Sequence, residues 1–157
     1  MKTKVDFSFS ENNGNTIASL HAKDKVFFGE STCNSEDPFP PSYSIGARIA
    51  EARAYKHFYQ DQINNKKNEL KGVKRILYSF PKDHKDIKYI QHMYNAITKE
   101  IEELKLDIAE CDHEIATAIE SRALYVKSRQ TNKKDRAEGQ KRLQEAFDML
   151  AKAGQKN

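Results

Sequence analysis

A polar and aromatic group, Gln91-His92-Met93-Tyr94-Asn95, comes after an earlier aromatic pair, Tyr78 and Phe80, across a short connector that includes Lys85. Nucleotide recognition needs a π-face for the base, an amide for the base edge and fixed cations for phosphate. Phe80, Tyr94 and Asn95, with Lys85 or an arginine from a neighbouring subunit, meet those needs. The same residue types also suit a helix end where aromatics merely close a bundle. Bond-making chemistry has less to stand on. There is no nucleophile elbow, Walker loop or phosphate cradle, and the 6 glycines are scattered. Glu110-x-x-His113 has the spacing of a helical di-iron half-site, but such sites need a second pair and two further inward carboxylates. His92 lies three heptads from His113, about 31 Å by helical rise, so the two cannot share an ion. His84, in the connector, reads first as a solvated loop residue. The expectation is a protein without catalytic residues, metal or cofactor.

The elements that must position these residues come in two kinds. Val5, Phe7 and Phe9 alternate with polar neighbours, and Glu11 to Asn15 supplies an Asn-Gly turn. Thr16 to Ala22 and Lys25 to Thr32 continue as two further strands, which predicts a three-stranded antiparallel meander. Pro38, Pro40 and Pro41 end it, and a serine of Ser42-Tyr43-Ser44 can cap the first helix. From Ile45 the apolar spacing becomes alternating fours and threes as far as Phe80, interrupted only by Lys56 and Lys66. Pro81 stops that helix at about 36 residues and roughly 54 Å. Asp83 or Asp86 can cap the second helix. Its seam, Ile87, Ile90, Tyr94, Ile97, Ile101, Leu104, Ile108, Cys111, Ile115 and Ala118, has no miss. The fold class is therefore α+β: a small N-terminal antiparallel sheet followed by a long antiparallel helical hairpin. Gln130 to Lys134 is expected to fray before a short C-terminal helix outlined by Leu143, Ala146, Phe147 and Leu150. Residues 1–129 then form one domain and 130–157 a basic tail. One seam cannot cover both helices and a sheet, so a homo-oligomer is expected.

Charge is unevenly spread. Of 157 residues, Arg122 to Asn157 holds 10 basic and 4 acidic, whereas Ser44 to Ser121 holds 13 of each. The tail could neutralise phosphates, but only Tyr125 lies near for stacking, so nucleic-acid binding is possible but not favoured over a solubilising role. No apolar run approaches the roughly 18 residues of a membrane span, and no secretory signal is visible, so no membrane partner is expected. Cys33 and Cys111 lie far apart in unlike contexts and suggest neither a disulfide framework nor a metal spacing. A cytoplasmic location is the expectation.

Gly29-Glu30-Ser31-Thr32-Cys33, then Glu36-Asp37-Pro38-Phe39, then Gly46-Ala47-Arg48-Ile49-Ala50-Glu51-Ala52-Arg53-Ala54, form a connected pattern. A strand ending Gly-x-x-x-Cys, a Glu-Asp-x-Phe turn and a helix opening Gly-x-x-Ile-Ala-x-x-Arg-Ala resemble small phage-encoded proteins, and the arrangement is similar to the Thoeris anti-defence sponge family. The likeness spans Gly29 to Ala54, roughly a sixth of the chain. It implies a non-enzymatic oligomer that sequesters cyclic ADP-ribose-type signals, with cyclic oligonucleotides held at a separate site. By that resemblance Arg53 is a phosphate or base contact, Met93-Tyr94-Asn95 matches a Met-x-Asn group, and Phe80 stands for a pocket aromatic of the connector. The family's distal arginine has no direct counterpart; Arg122, which breaks an apolar seam, is the substitute. The ligand-binding set is thus Arg53, Phe80, Lys85, Met93, Tyr94, Asn95 and Arg122. The residues alone give Arg53 a second reading, as a fork to backbone carbonyls at a crowded strand–helix junction. They place Phe39 under the sheet. The alternative function is a coiled-coil scaffolding or protein-interaction module.

Overall fold

The computed structural model describes residues 3–10, 13–81 and 84–154, with side chains to 147. Three strands, β1 (Lys4–Phe9), β2 (Thr16–Ala22) and β3 (Lys25–Ser31), form an antiparallel sheet in the order β1-β2-β3. Two helices complete the fold, α1 (Tyr43–Ser79) and α2 (Ile87–Gly154). The α+β class, the meander and the order of its strands are those expected from the alternating pattern.

The first turn is longer than a two-residue Asn-Gly hairpin. Ser10 N donates to Asn15 O at 2.8 Å, and among the described residues of the turn only Gly14, φ +67°, takes the left-handed region. Glu11 and Asn12 lie outside the described residues. A Cβ at Gly14 would sit 2.7 Å from Pro41 and 2.9 Å from Cys33, so this turn also seats the proline connector. The β2–β3 turn is the tight one, Lys23-Asp24, with Lys23 at φ 54°.

Pairing Val5 with Leu20 and Leu20 with Phe27 puts these residues on one face of the sheet. There Ala18 and Leu20 pack on Ala50 and Ala54 of α1, with Val5, Phe27 and Phe58 at the margin. The helix comes this close because β3 offers Gly29, where a Cβ would strike the backbone at Ala50 O and Ala54 N. Ser42 caps α1, its Oγ accepting from Ile45 N at 3.5 Å. Phe80 is extended ahead of Pro81, which ends the helix where the proline predicts.

A second core lies in the hairpin, where Ile63, Val73, Ile90, Ile97 and Ile101 fill the seam between α1 and α2. The two lysines that interrupt the seam reach across it. Lys56 Nζ meets Asp112 at 2.6 Å, and Lys66 Nζ meets Glu100 at 2.6 Å. The Glu100 and Glu69 hydrogen bonds raise the Lys66 pKa above its ordinary value.

The expected fraying and separate C-terminal helix are replaced by one continuous α2 of 68 residues, about 102 Å long. Lys, Arg, Gln, Glu and Ala are good helix formers, so a polar stretch loses tertiary partners without losing its backbone ladder. Residues 127–147 are exposed throughout, and the helix overhangs the body. Asp83 and residues 155–157 lie outside the described residues, as does the Leu150 side chain. No helix among the described residues is long and apolar enough to cross a membrane.

Candidate functional site

The seven candidate residues divide between two ends of the molecule. Arg53 and Arg122 belong to the sheet end. Phe80, Lys85, Met93, Tyr94 and Asn95 belong to the hairpin tip. Arg53 and Phe80 are separated along α1 by about 40 Å of helical rise, so one chain does not bring all seven together.

At the sheet end both arginines are occupied. Arg53 donates to the carbonyl of Glu30, and His57, one turn on, donates through Nδ1 to Phe28 O at 2.7 Å. These two carbonyls lie on the outer edge of β3, which α1 thereby blocks against pairing with a further strand. Arg53 thus makes a backbone-carbonyl contact of the kind its junction position allowed, to one carbonyl, with His57 holding the other. Arg122 Nε meets Asp37 Oδ2 at 2.6 Å, and its NH2 donates to Pro40 O at 2.7 Å and weakly to Phe39 O. Its guanidinium also lies 5.2 Å from the Tyr125 ring centroid. Phe39 packs edge-on against Tyr125 at 6.1 Å, on α2 and not under the sheet, because Arg122 draws the whole 37–40 segment onto that helix. Burial pushes the Asp37 carboxyl upward, but the Arg122 hydrogen bond, the Phe39 N–H and the Arg122 charge outweigh it and hold the group below its ordinary value. The loop, the start of α1 and α2 enclose a cleft of about 410 Å³ that includes Arg122, Ile45, Ile49 and Ile119.

The tip is arranged differently. Phe80 and Tyr94 are partly buried against the hairpin core, and the Phe80 ring lies 4.3 Å from the His84 ring. The freely exposed rings are Tyr78, 77% exposed, and Tyr89, 67% exposed, neither of which belongs to the candidate set. Both lie off the apolar seam that holds Phe80 and Tyr94, and that spacing is the signal that separates outward from inward rings. Lys88, Gln91, His92 and Asn95 keep helical spacing and, with Ile87, line an open cleft of about 390 Å³. Asn95 Oδ1 accepts from Gln91 Nε2 at 3.1 Å, leaving its amide nitrogen for another partner. Met93 stands at the surface beside them.

Ion pairs between elements are concentrated in the body, although Lys23 and Lys67 there also hold no carboxylate among the described residues. Through the body, Lys25, Arg48, Lys56, Lys66 and Arg122 each hold a carboxylate on another element. Lys71, Lys74, Arg75, Lys85 and Lys88 hold none among the described residues, and all are exposed. Lys74 instead sits 5.8 Å over the Tyr78 ring.

A third groove, about 350 Å³, runs between the helices past Tyr55, Tyr59, Glu110 and Cys111. Burial and then the charges of Asp112, Asp107 and Glu110 push the Cys111 thiol up, which disfavours a reactive thiolate. His113 is exposed, and no group of three or more His, Cys, Asp or Glu among the described residues could hold a metal ion. Comparisons with family models, curated proteins and solved structures gave no match.

Proposed function

We propose that this protein is a non-enzymatic binder that captures a small cyclic nucleotide signal at the hairpin tip, acting as a phage anti-defence protein in the cytoplasm of the host. The observation that carries the reading is a group of five tip cations without a carboxylate partner among the described residues, one of which, Lys88, lines an open cleft, together with two exposed tyrosine rings. Cations without a carboxylate partner favour an anionic ligand, and exposed rings near them favour one that carries bases. Lys85 and Lys88 hold phosphate, Asn95 reads a base edge, and Met93 and Tyr89 supply apolar surface. Phe80 and Tyr94 stiffen the site from beneath. The cyclic ADP-ribose class and the phage setting come from the likeness of Gly29 to Ala54. In a single chain the cleft is open, so tight capture needs a second wall from another copy.

Thermal-shift measurements on the full chain with cyclic ADP-ribose isomers and cyclic oligonucleotides test the proposal. A ligand at one hundred times its Kd adds about 2.7 kcal/mol of apparent stability. Release of intact ligand on heating supports capture, and conversion to product refutes it. A second reading, an architectural coiled-coil module, is favoured by the unaccompanied length of α2 beyond Val126.

A further inference from the structure

A solitary helix that leaves its own fold for more than five turns has no packing to stabilise it, and helical stability in proteins comes mostly from such packing. The overhang of α2 is not uniformly polar. Its distal end shows Leu143 at 60% and Phe147 at 58% exposure, and a left-handed supercoil with a partner helix, though not a straight helix, brings these round to the seam of Ile119, Ala123 and Val126. Those three line the 410 Å³ cleft at the base of the overhang. Between the two apolar ends the same seam is polar, with Gln130, Lys133 and Arg136.

We propose that the overhang pairs antiparallel with the overhang of a second copy, each distal end seating in the other's cleft. The two-fold axis then passes near Lys133. That register sets Phe147 against Ile119 and Leu143 against Ala123. It also sets Arg129 against Ala137 and Arg136 against Gln130, so only Lys133 faces its own copy. A parallel pair would place Arg129, Lys133 and Arg136 each against itself, three like-charge contacts along one seam. Shape argues the same way, since a concave cleft accepts a narrow helix end and two concave clefts cannot fill each other. Glu36, at the rim of the cleft, has no ion-pair partner among the described residues, and the incoming segment 127–147 carries seven basic and three acidic residues. The shared helix face gives about ten residues a side, and the cleft walls extend this towards the ~20 of a specific interface. The pairing does not depend on any ligand at the tip.

Sedimentation equilibrium of the full chain tests it. The wild type is expected as a dimer, or as an even multiple built from dimers, and Leu143→Glu with Phe147→Glu should halve its mass. Neither residue touches its own chain's body, so the circular dichroism of the body is unchanged. In a Cys33→Ser, Cys111→Ser background, Ile119→Cys with Phe147→Cys should oxidise to a covalent dimer, because these positions are about 42 Å apart within one chain. Phe147→Cys alone should not. A monomeric wild type, an unchanged mass in the double glutamate variant, or ready crosslinking by Phe147→Cys alone would each overturn the proposal.

Discussion

The sheet end and the hairpin tip draw on the same residue types for opposite purposes. At the sheet end Arg53, His57 and Arg122 each have an acceptor within the chain, and the acceptors are mostly backbone carbonyls. At the tip Lys71, Lys74, Arg75, Lys85 and Lys88 have no carboxylate among the described residues. A cation bound to its own fold determines shape, whereas a cation left in water is available to a partner. Residue type does not distinguish the two; the geometry of neighbouring backbone does.

The comparison breaks most violently at Gly29. Its missing side chain lets α1 lie directly on β3, and a Cβ there meets backbone atoms that cannot rotate away. Gly29→Val should therefore cost about 3 kcal/mol or more, at the upper end of overpacking penalties. Urea unfolding would read it, and the same substitution at Gly72, where a Cβ meets nothing within 4 Å, is the control.

Next in size is Arg122→Leu. The Asp37 side chain is only 6% exposed, so removing the guanidinium strands a carboxylate, at a cost of about 3 kcal/mol near pH 7. The pH dependence sharpens the assignment. In the native protein the Asp37 pKa is depressed, so its contribution is present above the unfolded value of about 3.9 and is lost as pH falls through the folded value. Without Arg122, burial dominates and raises that pKa, so the variant gains stability relative to wild type on acidification. The difference between the two proteins should shrink between pH 7 and pH 3. A constant difference would show that Asp37 is not the partner that matters.

The sequence is most legible where one period governs a whole element. Alternation places Val5, Phe7 and Phe9 on a strand, and steps of three and four give both helices, including Lys56 and Lys66 as the places where the seam is polar. It is least legible where a single contact decides. Nothing in the spacing of Arg122 says that it pulls Asp37 and Pro40 onto α2 and takes Phe39 with them. Periodicity does put Phe80 and Tyr94 in the buried seam and leave Tyr78 and Tyr89 off it, so the rings free for a ligand are the off-seam pair. The continuity of α2 through Gln130 to Lys134 is hidden for another reason: loss of an apolar stripe signals loss of a neighbour, which is not the same as loss of helix.

A smaller effect is expected at Lys66, whose ion pairs with Glu100 and Glu69 are partly exposed. Lys66→Leu would leave Lys56 as the one break in the apolar series from Ile45 to Phe80 and exchange a screened pair for hydrophobic contact. Stability should change by less than about 1 kcal/mol, in either direction, because exposed pairs contribute little and apolar replacements are often neutral. Chemical denaturation at low and high salt checks it; a large loss would mean that the pair carries the hairpin.

At the tip the expected stability change is smallest, and that is what makes the site testable. Lys85→Ala with Lys88→Ala removes two cations that hold no carboxylate among the described residues, so unfolding free energy should stay within about 0.5 kcal/mol of wild type. If the tip is the capture site, the thermal shift produced by a cyclic nucleotide should nevertheless fall severalfold, since each charge-assisted hydrogen bond to phosphate contributes about 1.5–3 kcal/mol. Asn95→Ala should alter the ranking among bases more than the total shift, because an amide reads an edge while a lysine reads charge. Stability lost together with binding would mark these lysines as structural, and the contrast between the two ends of the molecule would disappear.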